Sequence, residues 1–151
     1  MITLHNKQED LAIDIKQLEA HAQRVLDMLG YSDFDLGIAL VSSDEMQGYN
    51  REYRNIDKPT DVLSFPFHYE IIPGEKIHAD NDDEKNLGDI IICPAYAKTT
   101  LIDWDQEIKE RLDGLLMHGM CHLLGYDHTT DEQEEQMLAM EAKLLSKIKQ
   151  P

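Results

Sequence analysis

His118, His122 and His128 constrain this chain more than any other feature, because their imidazoles fall at i, i+4 and i+10 around Gly125. Residues four apart on an α-helix share one face, with Cβ atoms about 5–6 Å apart. His118 and His122 can then chelate one ion if the segment is helical. Gly125 can take the left-handed conformation that ends a helix. The chain would turn back there and deliver His128 as a third ligand. Three protein nitrogens leave one tetrahedral position open, which is the arrangement of a catalytic zinc rather than a closed structural one. One zinc ion is the expected occupant, with nickel, copper or another divalent metal able to take the same nitrogen set in vitro. A histidine favoured as a cation at a helix C-terminus accounts for one of these residues but not for three at this spacing.

The spacing equals that of the metzincin protease signature, H-E-x-x-H-x-x-G-x-x-H, with one difference. The glutamate after the first histidine, the protease's general base, is Gly119 here.

At 151 residues the chain suits one domain, 1–151, with enough length to bury a core. No stretch approaches the ~20 continuous apolar residues of a membrane span. Met1 to His5 lead straight into polar residues, without the basic start and apolar run of a signal peptide. Cys93 and Cys121 are the only cysteines; both sit in apolar company and read as small buried hydrophobes. These features predict a soluble, cytoplasmic protein with no membrane contact. Its oligomeric state is open, a monomer being the default. The net charge is −16, from 14 Lys and Arg against 30 Asp and Glu. That balance opposes non-specific attraction to nucleic acid, which needs a basic face, although the local field in a cleft matters more than the total. Arg51, Arg54 and Lys58 gather basic charge in one short segment, while acid concentrates at 80–84 and 131–135.

Leu11, Ile15, Leu18, Ala22, Val25, Leu26 and Leu29 repeat with helical period, and Gly30 stops them. Strands are expected at Met1–His5, Phe34–Val41, Val62–Phe67 and Gly88–Cys93, with Pro66 placing the third at a sheet edge. Ser42 with Glu45, and Thr130 with Gln133, have capping-box spacing. The first pair opens a short helix toward Tyr53. The second opens a last helix that turns Met137, Leu138, Met140, Leu144, Leu145 and Ile148 inward. Pro94 suits the first turn of a helix reaching about Leu101. Glu107 to Leu124 is the long helix carrying the first two histidines, and His68 to Asn86 reads as a polar, mobile loop. The sum is an α+β single domain, a roughly four-stranded mixed sheet with about five helices and a metzincin-like metal helix.

Three blocks, in order, carry a resemblance. Asn50-Arg-Glu-Tyr53-Arg54-Asn-Ile-Asp57-Lys-Pro59-Thr60-Asp61-Val-Leu-Ser64-Phe-Pro66-Phe67 resembles the N-x-x-Y-R-x-x-D-x-P-T-[DN]-V-L-S-F-P segment of the YbeY proteins. Leu87 to Cys93 resembles their L-G-D-I-x-I-C strand, and His118 to His128 their H-G-x-L-H-L-x-G-Y-D-H signature. Cys121 departs from the usual leucine. The resemblance covers most of the chain; the N-terminal third and the acidic loop match loosely. It implies a metal-dependent, single-strand-specific endoribonuclease of bacteria, acting in ribosomal RNA maturation, notably at the small-subunit 3′ end, and in ribosome quality control. The implied partners are single-stranded RNA, the small ribosomal subunit and its associated proteins. The implied ligands are His118, His122 and His128, and the implied functional arginine is Arg54.

The chemistry of these residues fits that implication. A zinc ion can lower the pKa of its water toward ~7 or polarise a phosphoryl oxygen; attack by water and by the RNA's own 2′-hydroxyl both remain open. The Arg54 guanidinium can fork onto two phosphate oxygens, whereas without the resemblance a surface ion pair is the plainer role. Asp127, beside the third ligand, can orient an imidazole, act as general base, or bond to local backbone N–H groups as a turn residue. Tyr126 reads as packing, Arg51 and Lys58 as solvated charges, and His5, His21, His68 and His78 lack ligand spacing. Two alternatives stand beside the nuclease. A metzincin-like metallopeptidase is disfavoured by Gly119. A non-catalytic ribosome assembly factor with a structural metal requires a fourth protein ligand, such as Cys121 or an acidic residue.

Overall fold

The computed structural model describes residues 1–101 and 107–149. The elements run β1 (Ile2–Asn6), α1 (Ile15–Leu29), β2 (Asp35–Leu40), α2 (Ser43–Arg54), β3 (Val62–Pro66), β4 (Asn86–Ile92), α3 (Pro94–Thr99), α4 (Ile108–Leu123) and α5 (Asp131–Ile148), with a 3₁₀ turn at Asp82–Glu84. The strands form one sheet in the order β1-β2-β4-β3. β1 and β4 lie parallel to β2, and β3 is antiparallel to β4. This is the α+β single domain with a four-stranded mixed sheet and, among the described residues, five α-helices.

Sequence explains most of the boundaries. Leu36, Ile38 and Leu40 alternate inward along β2, while Leu87, Ile90, Ile91 and Ile92 make β4 apolar on both faces, as a central strand requires. β3 occupies the edge, where Pro66 costs no ladder bond. Asp14 caps α1 by accepting from Gln17 N–H, so the helix begins at Ile15 rather than Leu11. Thr130 and Gln133 complete the capping box of α5. Ser42 caps α2, but Glu45 pairs with Lys7 at 3.0 Å.

The larger core lies between one sheet face and α1, α4 and α5; Val41, Met46, Leu63, Ile91 and Cys93 form a smaller cluster on the other face. Two expectations are corrected. Leu138 is 56 % exposed and does not join the inward face of α5, which is built from Met137, Leu144 and Ile148. Its position lies one step round the helix from that stripe. The segment 68–86 is not simply a polar loop: Ile77 is buried, with its N–H bonded to the Tyr31 hydroxyl at 2.8 Å, and Asn86 already belongs to β4. No described helix is long and apolar enough to cross a membrane.

Candidate metal centre

α4 buries Leu112, Leu115, Leu116 and Leu123, and the adjoining face carries His118 and His122, one turn apart and half-buried. The helix closes in a Schellman arrangement. Gly125 N–H donates to the His122 carbonyl at 3.1 Å, and Tyr126 N–H to the Cys121 carbonyl at 3.0 Å. Gly125 has φ +94°, and a Cβ there would stand 2.6 Å from the Ile71 carbonyl oxygen. Conformation and space both demand glycine, and the reversal brings His128 back to the other two rings.

One potential ligand atom of each histidine lies within 4.8 Å of those of the other two. The ring centroids are 4.7, 5.2 and 5.9 Å apart. The Nδ1–H of His122 donates to the Tyr126 carbonyl at 3.0 Å. The Nδ1–H of His118 donates to the Glu141 carboxylate, which α5 holds at 17 % exposure. With Nδ1 engaged in both rings, Nε2 is the nitrogen left for an ion, which is how metal-ligating imidazoles are oriented. Burial, then the neighbouring His118, hold His122 below the usual imidazole range, favouring the neutral ring that a metal needs. The donor set, three convergent imidazole nitrogens, therefore fits a metal ion.

A fourth protein ligand is not supplied by Cys121. Its side chain is fully buried outside the histidine cluster, and its thiol is pushed up to about 12 by burial, with the Glu141 charge adding. Gly119 explains the missing protease glutamate in packing terms. A Cβ there would stand 2.8 Å from Ile90 Cγ2, so this position faces the sheet and β4 fills the space.

The histidines open onto a cleft of about 530 Å³ that Arg54, Ser64, Tyr126 and Asp127 also line. Arg54, at the C-terminal end of α2, has no ion pair among the described residues, whereas Arg51 is held by Asp57 at 3.2 Å. Lys58 is exposed and outside the cleft lining. Asp127 is exposed, and its Oδ1 accepts the His128 N–H at 2.8 Å. His21, His68 and His78 bond to Asp113, the Glu84 carbonyl and Asp80, and with His5 stay outside the cluster. A larger hollow, about 680 Å³, lies on the opposite sheet face against Gly37, Ala39 and Tyr53, and none of the three histidines lines it.

Two residues escape sequence reading. Asp61 lines the cleft while accepting from Arg111 at 2.9 Å. Glu141 had a usable signal: with Met137, Leu144 and Ile148 it occupies one helical stripe, a carboxylate among apolar positions.

Comparison with known proteins places the chain in a family. The family profile described as Endoribonuclease YbeY matches residues 3–149. A human protein named Endoribonuclease YbeY is 35 % identical over 147 residues, covering 97 % of this chain and 87 % of its own. One from Heliobacterium modesticaldum is 38 % identical over 131 residues, covering 85 % and 79 %. One from Francisella tularensis subsp. holarctica is 38 % identical over 142 residues, covering 93 % and 80 %. The human relative shows that the family extends beyond bacteria. A Thermotoga maritima protein solved in solution superposes with a TM-score of 0.64 at 25 % identity, covering 98 % of this chain and 89 % of that one. With a profile match across nearly its whole length and relatives of that name at 35–38 % identity, the chain belongs to the YbeY endoribonuclease family.

Proposed function

We propose that this chain is a zinc-dependent endoribonuclease for single-stranded RNA, acting in the cytoplasm on ribosomal RNA of the small subunit, at its 3′ end, and in ribosome quality control. The observation that carries the reading is the position of Arg54: an unpaired guanidinium, among the described residues, lining the same cleft as three convergent imidazoles. A strongly acidic protein needs a local cation to bring a phosphodiester to such a cleft.

His118, His122 and His128 would hold the ion, and a divalent metal there supplies Lewis acidity to a phosphodiester. Glu141 and the Tyr126 carbonyl keep two of the rings aimed. Arg54 binds phosphate oxygens through its fork and offsets charge that develops on them. Asp127, committed through Oδ1 to the His128 N–H, holds the turn that carries the third ligand.

The test is Arg54→Ala in metal-verified protein on a defined single-stranded RNA, with product ends identified. The variant should keep its fold and metal and lose about 10²-fold or more in kcat/KM. Full activity with metal intact would remove Arg54 as the phosphate anchor. Cleavage of peptides by the native protein would instead favour the peptidase reading, which the burial of position 119 against β4 opposes.

A further inference from the structure

Tyr126, half-buried, lines two hollows. One is the histidine cleft, and the other is a separate hollow of about 220 Å³ between α5 and the segment around Lys76. The two spaces therefore share a wall. The floor of the hollow is apolar, formed by Tyr31, Leu124 and Met140, and its rim carries Lys76 and Lys143. Neither lysine has an ion pair among the described residues, whereas Lys7 pairs with Glu45, Lys85 with Asp33 and Asp82, and Lys109 with Glu107.

Lys76 instead lies over the Tyr31 ring at 5.7 Å. Asp33, whose charge it feels, is already engaged by Lys85 at 2.9 Å. Glu75 stands on the same rim, so two ammonium groups face one carboxylate. In a chain of net charge −16, a cationic rim beside the cleft is against the trend of the surface.

We propose that this hollow binds a nucleotide of the RNA strand next to the one held at the histidines, with its base against the apolar floor and its phosphate at Lys76 and Lys143. This rests on the endoribonuclease reading above and adds a direction to it: the strand leaves the cleft across Tyr126, which lines both spaces. Apolar contact for a base and point charges for a phosphate are the two elements of single-strand recognition without sequence readout. A hollow of this size suits one base rather than a base pair, so it would also contribute to preference for unpaired RNA.

The experiment measures cleavage kinetics and salt dependence for the wild type, Lys76→Ala/Lys143→Ala, Lys143→Glu, and a control pair, Lys16→Ala/Lys98→Ala. Each is given a single-stranded RNA long enough to extend several nucleotides to both sides of the cut, and a minimal fragment confined to the cleft. On the long RNA, the double variant and Lys143→Glu should raise KM about tenfold with kcat retained. The double variant should also flatten the log–log salt dependence by about 0.7, the value for one phosphate contact to a single strand. The control pair should match wild type, and the minimal fragment should be cut equally well by all four. An unchanged KM in both rim variants, or the same loss on the minimal fragment or in the control pair, would overturn the proposal while leaving the nuclease reading intact. Wild-type protein that neither binds nor cuts RNA would remove both.

Discussion

The turn after α4 and the middle of α5 each bring one carboxylate beside the histidines, and the two are held in different ways. Asp127, on the turn, is exposed and accepts the N–H of the next residue, His128. Glu141, on α5, is mostly buried and accepts from Nδ1 of His118. A solvated carboxylate bonded to its own backbone shapes a local turn, and water can replace much of what it does. A buried carboxylate bonded to an imidazole decides which ring nitrogen faces the ion and raises that ring's basicity. Burial and hydrogen bonding, rather than nearness along the chain, decide which acid governs a ligand.

Variants can break or sharpen that contrast. The largest effect should come from the ligands themselves. His122→Ala should lose metal and RNA cleavage together, read as metal content and activity in one preparation; an active, metal-loaded variant would remove His122 from the site. Glu141→Ala should then weaken metal affinity by about 10–100-fold, measured by chelator competition on the apo protein. Glu141→Gln, which keeps an acceptor and loses the charge, should fall between. Affinity equal to wild type in both would reverse the ranking of the two carboxylates.

Gly125→Ala tests the turn without touching either acid. Left-handed backbone alone should cost about 1–2 kcal/mol in chemical denaturation, and the approach to Ile71 should add to it. The smallest effect should be that of Asp127→Asn, which retains an acceptor for the His128 N–H. Its cleavage rate should stay near wild type, whereas loss of a general base costs about 10²–10⁴-fold. A fall of that size would make Asp127 the proton acceptor and promote the turn over α5.

The legible parts of the molecule are the ones encoded over a few residues. His118 and His122 share a face because of the helical period, and Gly125 announces the reversal that returns His128. Capping residues Ser42 and Thr130, and the edge proline Pro66, mark element ends in the same local way. Reading α5 as a broad apolar face turns Leu138 inward, yet the helix buries the narrower stripe of Met137, Leu144 and Ile148 and exposes Leu138. Glu141 falls on that narrow stripe, where a carboxylate is tolerated because His118 supplies its partner.

By itself, then, the sequence determined the three nitrogen donors, the helix and turn that gather them, and the family to which the chain belongs. Tertiary structure decided that Arg54 reaches the same cleft, that Glu141 rather than Asp127 bonds a ligand ring, and that position 119 is closed by Ile90. The reason lies in the range of the forces. Backbone geometry and capping act within a turn or two of the chain, whereas these contacts join α2, β4 and α5 to α4 across 23 or more residues, and only the packing of the shared core sets their distances.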